Sequence, residues 1–200
     1  MQIVKKSDKS IIVSGKVITE LDNFVADIAE IISRYTEYVI VSGYVAILFG
    51  RARGTEDVDF LIQYMPYDKF SSLFHELSEE NYYFLNSDNI NELYSMLCSG
   101  LAVRVAAVNM VIPNIEIKFQ KDDYDDYAVS EKVTASFGDI SFFISPVELQ
   151  IPYKFYLGSE KDIEDAQYLW RIFKDIIDLP LLDSFLSSFD IDGEIYGIEI

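Results

Sequence analysis

Two aspartates one residue apart, Asp57 and Asp59, sit in the apolar stretch DVDFLI. A strand built only to be buried has no use for them. Residues i and i+2 of a strand point to the same side, roughly 6.6 Å apart along the chain. Asp57 and Asp59 therefore share one face, and Val58, Phe60 and Ile62 share the other. Two like charges about 4 Å apart repel by roughly 4 kcal/mol at an effective dielectric near 20. Carboxylates that converge this closely need a cation between them. Mg²⁺ suits the position, because it prefers carboxylate oxygens and keeps waters and substrate phosphates as its other ligands. A third carboxylate, Glu116, alternates with Ile115 and Ile117 in NIEIKFQ. If that strand lies beside DVDFLI, the three acids form a cluster able to hold two divalent ions. Such a pair stabilises both the attacking and the leaving oxygen of a phosphoryl transfer. The plainer alternatives are a solvated edge strand for Asp57 and Asp59, and an ion pair with Arg104 for Glu116.

A phosphate needs donors, and these stand just upstream. EYVIVSG reads as a buried strand ending at Ser42-Gly43, and GYVAILFG as a short helix stopped by Gly50. Free backbone N–H groups at such a turn form an anion site. Gly43 would let a phosphate approach the backbone closely. Arg51 and Arg53 follow, with guanidinium donors matched to phosphate oxygens. The alternatives are a strand-terminating hydroxyl for Ser42 and ordinary loop charges for the arginines.

The elements that must position these groups are legible in outline. The start, residues 1–19, reads as a hairpin around Gly15 and offers no uninterrupted apolar run of the signal-peptide kind. Leu21, Phe24, Val25, Ile28, Ile31 and Ile32 have helical spacing. Helices are also expected over 65–80 and 89–100, and strands over 101–112, 114–120 and 139–145. From Pro146 the pattern turns helical, with a strand-like or frayed tail over 192–200. The run KDDYDDY at 121–127 reads as a solvated acidic turn, since it lacks the glycine and closing glutamate of a calcium loop. The expectation is an α/β (α+β) fold, a mixed sheet flanked by helices, with residues 1–145 as the core and 146–200 as a helical C-terminal extension packed on it.

The 200 residues are half hydrophobic, enough for a sizeable core. One cysteine, Cys98, and one histidine, His75, exclude a disulfide framework, a cysteine-based zinc site and a histidine-rich metal site. Cys98 is expected in the core. A reducing, cytoplasmic setting fits this usage, and no window is long and uncharged enough for a membrane span. The net charge of −18 works against general nucleic-acid binding.

Taken together, the strand, Gly turn, short helix, Arg-rich loop, Thr55 and Asp-x-Asp resemble the nucleotidyltransferase superfamily related to DNA polymerase β. SGYVAILFGRARGTEDVDFLI is most similar to the branch of AbiEii-type toxins, through Gly43, Tyr44, Arg53, Thr55, Asp57 and Asp59. KFYLGSEKDIEDAQYL resembles that branch's later helical segment through Lys154, Lys161, Asp162 and Asp165. Four features depart from the branch: Ser42 stands where Gly is usual, Val45 follows Tyr44 where Ala is more common, Glu116 replaces Asp, and Pro152 interrupts, and would kink, the helix carrying Lys154. The resemblance implies a Mg²⁺- or Mn²⁺-dependent transfer of a nucleoside monophosphate from an NTP to an acceptor hydroxyl. In that scheme Asp57 and Asp59 hold the ion that binds the triphosphate. Glu116 shares a second ion with one of them and is the candidate base. Ser42 and Gly43 cradle the phosphates, and Lys154 is a nucleotide contact. The acceptor is open among RNA, a protein and a small molecule, and the branch brings a toxin role and an antitoxin protein as a partner. The rival expectation is a nucleotide-binding or regulatory interaction protein of the same fold without turnover.

Overall fold

The computed structural model describes residues 1–7 and 9–199; Ile200, the end of the expected tail, lies outside the described residues. The chain opens with a hairpin, β1 (Gln2–Ser7) and β2 (Ser10–Ser14), followed by α1 (Glu20–Ser33). Then come β3 (Tyr38–Val41), α2 (Gly43–Leu48), β4 (Asp57–Ile62), α3 (Tyr67–Glu79), β5 (Tyr82–Phe84) and α4 (Ile90–Cys98). Next are β6 (Val103–Ala107), β7 (Asn114–Phe119), α5 (Asp123–Ser130), β8 (Val133–Phe137) and β9 (Ile140–Ile144). The last helices are α6 (Val147–Leu157), α7 (Glu160–Phe173) and α8 (Leu179–Ser188), before a 3-10 turn at Gly193–Tyr196.

The strands form one mixed sheet in the order β1-β2-β8-β9-β3-β4-β7-β6-β5. At its centre β3 runs antiparallel to β4, β4 parallel to β7, and β7 antiparallel to β6. The period-2 rule then sorts the residues. Val58, Phe60, Ile62, Ile115 and Ile117 enter the main core with Val25, Ile28 and Ile32 of α1 and Phe70, Leu73 and Leu77 of α3. Val39 and Leu61, on the opposite face, join Ala128 and Val129 of α5, Leu149 of α6 and Phe189 in a smaller cluster. Asp57, Asp59, Asn114 and Glu116 share that second face. Helices α6 to α8 add Ile151, Phe155, Ala166, Leu169 and Leu182 to the main core.

Helix α1 begins with a capping box. Thr19 Oγ1 accepts from the Asp22 N–H, and Asp22 accepts from the Thr19 N–H at 2.8 Å. That satisfies donors that a helix start leaves unpaired. Asp22 also accepts from the Tyr44 hydroxyl at 2.7 Å and from Lys16, which ties α1 to the start of α2. Burial pushes the Asp22 carboxyl up, but its hydrogen bonds with Lys16, Tyr44 and Thr19 outweigh this and hold it below the usual value.

Several expectations need correcting. The strand expected over 101–112 is confined to Val103–Ala107, because Asn109 turns to φ 68° and residues 108 and 110–112 are exposed. The acidic run is the start of α5: Asp122 caps it by accepting from the Tyr124 and Asp125 N–H groups. The tail is a 3-10 turn and not a strand. Cys98 ends α4 on the exposed side and is not a core residue. Strands β5 and β8 were not anticipated. No helix among the described residues is long and apolar enough to cross a membrane.

Candidate active site

Strand β3 hands over to α2 through Ser42, whose φ of 65° and ψ of −144° fall in a region that is nearly Gly-only. Ser42 and Asp59 line the same cavity, and Ser42 is among the groups that pull the Asp59 carboxyl down. Gly43 follows with no side chain, and the reason is visible. A Cβ built there would lie 2.6 Å from Arg53 Nη2 and 3.0 Å from its Cζ. The Arg53 guanidinium therefore lies against the turn.

Register places the acids. Asp59 is opposite Glu116 and Asp57 is opposite Asn114 across the parallel β4–β7 pair, so the three carboxylates share a face. Val41, the last residue before the turn, is opposite Asp59 on β3. Burial raises the Asp59 carboxyl, assisted by the charges of Glu116 and Asp57, against the opposing pull of Lys118 and Ser42. Lys118, two residues after Glu116, points the same way. Its Nζ lies 2.7 Å from Glu116 Oε1 and 3.4 Å from Asp59 Oδ1. Arg104, the register partner of Glu116 on β6, donates to Glu116 Oε2 from Nε at 3.2 Å and from Nη2 at 3.1 Å. The Arg104 pairing weighed from the sequence is thus formed. Burial pushes the Glu116 carboxyl up, but Lys118 and Arg104 outweigh it and hold it below the usual value.

A divalent ion can be tested against this donor set. Asp57 and Asp59 fit one ion: they share a face, and the Asp57 carboxylate accepts from Thr55 Oγ1 at a long 3.4 Å. Glu116 has both oxygens engaged by side-chain cations. Among the described residues, no three acidic, cysteine or histidine side chains come together as a ready metal cluster.

The arginines and Lys154 meet on α7. Asp165 is fully buried and accepts from Arg51, from Arg53 Nη1 at 2.8 Å and from Lys154 Nζ at 2.9 Å. Lys154 is also buried and reaches Asp162 at 3.1 Å. Burial lowers the Lys154 ammonium, partly offset by Asp162. Arg51 additionally bonds Glu164 and the Lys161 carbonyl, so it is turned toward α7. Arg53 alone of the two also touches the Gly43 turn. Asp162 does cap the start of α7 with Ser159, as its position suggests. Asp165 is instead the buried anion that gathers three cations, a role its sequence position does not announce. Helix α6 runs unbroken through Pro152 to deliver Lys154.

A cavity of about 280 Å³ opens beside these groups. Ser42, Asp59, Lys118 and Lys154 line one part of it, and Tyr124, Asp125, Leu149 and Tyr153 another. Lys118 carried a readable signal, since period 2 puts it on the face of Glu116. Tyr124 and Tyr153 carried none, because each packs on Phe189, which is distant in sequence.

No protein-family model matches the chain, and no curated protein matches it in sequence. Solved structures do resemble it. An antigenic nucleotidyltransferase-like protein from Paracoccidioides brasiliensis superposes with a TM-score of 0.54 at 19% identity, over 84% of this chain and 86% of that one. The antibiotic-resistance factor ANT(2'')-Ia superposes with a TM-score of 0.52 at 11% identity, over 84% and 92% of the two chains. MenT4, a nucleotidyltransferase toxin from Mycobacterium tuberculosis H37Rv, gives a TM-score of 0.46 at 14% identity, over 83% and 62%. At such identities the first two likenesses speak to architecture, and on that ground the chain has the nucleotidyltransferase fold.

Proposed function

We propose that this protein transfers a nucleoside monophosphate from an NTP to an acceptor hydroxyl. The observation that carries the reading is the register of Asp57, Asp59 and Glu116 on one sheet face, beside the Ser42-Gly43 turn. A divalent ion, Mg²⁺ or Mn²⁺, held by Asp57 and Asp59 would offset charge on the triphosphate. The chain's own residues do the rest. The Gly43 backbone and the Arg53 guanidinium receive the phosphates, and Lys154 borders the same cavity. Asp165 holds Arg53 and Lys154 in place. Arg51, committed to α7, acts through Asp165 and Glu164 rather than on phosphate. The acceptor oxygen bonds to the α-phosphorus, the bond from that phosphorus to the bridging oxygen breaks, and pyrophosphate leaves. The hydroxyl proton passes to Glu116, which is ionised at neutral pH. The net charge of −18 opposes a polyanionic acceptor such as long RNA. A protein or small-molecule hydroxyl meets no such barrier. A toxin of the AbiEii kind, held by an antitoxin protein, is the biological setting most in keeping with the sequence motifs.

One observation favours a second reading. Both Glu116 oxygens are occupied by side-chain cations, which suits a nucleotide-binding protein without turnover. Pyrophosphate release from each NTP with Mg²⁺ or Mn²⁺, with candidate acceptors supplied, decides between them. Release that disappears in a folded Asp59→Asn variant supports transfer. The expected loss is on the order of a thousandfold, because the amide removes the charge that holds the ion. NTP binding without release by the wild-type chain supports the second reading, and no NTP binding defeats both.

A further inference from the structure

Lys118 is an unusual neighbour for a metal-binding acid. It follows Glu116 by two residues on β7, so both side chains must share the face that carries Asp59. Its ammonium stands between Glu116 Oε1, at 2.7 Å, and Asp59 Oδ1, at 3.4 Å. The other Glu116 oxygen is held from β6 by two nitrogens of Arg104. Both cations are fixed by strand register and not by flexible loops. A second divalent ion at Glu116 would have to displace the ammonium and then sit beside it. The charges also balance differently from a bare three-acid site. Three carboxylates face two side-chain cations, which leaves one uncompensated negative charge among the five groups. One divalent ion at Asp57 and Asp59 reverses that charge. A lysine ammonium is a compact point charge, and this one also lines the cavity that Ser42, Asp59 and Lys154 enclose.

We propose that Lys118 takes the place of a second divalent ion, so that the site holds one ion, on Asp57 and Asp59, with the ammonium as its permanent companion. This rests on the nucleotidyl-transfer reading given above. Lys118 then supplies, without any exchangeable metal, the second positive charge beside the transferring phosphate, and it fixes Glu116 relative to Asp59.

Mn²⁺ titration of the full chain without nucleotide, followed by electron paramagnetic resonance of the free ion, tests this. The sites counted are those lost in Asp59→Asn, which removes binding by the surface acids of α5 from the tally. The expected counts are one ion for the wild type, one for Lys118→Arg, which keeps the charge, and two for Lys118→Met, which keeps the length. Two ions on the wild type overturn the proposal and leave nucleotidyl transfer standing, and this count needs no variant to fold. A folded Lys118→Met that still holds one ion also overturns it. A wild type with no ion sensitive to Asp59→Asn removes the metal site on which the nucleotidyl-transfer reading itself depends.

Discussion

Ser42 holds a conformation that most side chains avoid, with φ at 65°. Backbone in this region costs of order 1–3 kcal/mol for a residue other than glycine. The return is a turn that sets Ser42 beside Asp59 in the lining of the cavity. Two substitutions separate the strain from the hydroxyl, since both glycine and alanine lose the hydroxyl but only glycine loses the strain. Ser42→Gly is expected to be more stable than Ser42→Ala by about 1–3 kcal/mol in urea unfolding. Equal stabilities would mean that the turn is unstrained. The shared face of Asp57, Asp59 and Glu116 was legible at this scale, because a period of two needs no knowledge of the fold. The same rule reaches Lys118, but nothing in a single strand says that its ammonium will settle on Asp59 of the next one. Asp165 was hidden for a similar reason: its partners Arg51 and Arg53 lie far away in sequence and reach it only through the tertiary fold.

Elements are joined across the site by two buried carboxylates. Asp165 connects α7 to Lys154 of α6 and to the loop carrying Arg51 and Arg53. Removing its charge takes from Lys154, Arg51 and Arg53 the buried anion they share, so Asp165→Asn should cost about 3–5 kcal/mol. Chemical denaturation measures this, and a cost below about 1 kcal/mol would show that the network has another anchor. Asp22 does the same for α1 and α2. Its carboxyl lies below its ordinary value in the fold, so its contribution is full above the unfolded value near 4 and is lost as pH falls through the folded value. Asp22→Asn should therefore destabilise the chain by about 3 kcal/mol at pH 7, with the gap to wild type closing as pH drops below about 4. A gap that stays constant with pH would show that charge plays no part. Helix α1 was readable because Val25, Ile28 and Ile32 repeat at helical spacing and are all buried. Strand β5, Tyr82–Phe84, is too short and too near the edge to show alternation. Strand β8 does alternate, with Val133, Ala135 and Phe137 buried, but Thr134 and Ser136 between them read equally well as loop. The acidic run was misread because capping makes Asp122 a helix signal only once the helix is seen.

At the scale of the whole molecule, one mixed sheet sets a hydrophobic core on one face and charged chemistry on the other. The division runs through β4 and β7, whose alternate residues serve the core and the acids. Helices α5 and α6 cover the second face as far as Leu61 and leave Asp59 at the edge of the cavity. The central claim is that this edge moves a nucleoside monophosphate, and position-labelled NTP tests it most directly. Each NTP, labelled at either the α- or the γ-phosphate, is incubated with wild-type protein, Mg²⁺ or Mn²⁺, and candidate protein and small-molecule acceptors. The account predicts that α-label becomes covalently attached to an acceptor while γ-label leaves entirely as pyrophosphate. Attachment of the γ-label, or loss of γ-label as inorganic phosphate with none on the acceptor, would contradict it.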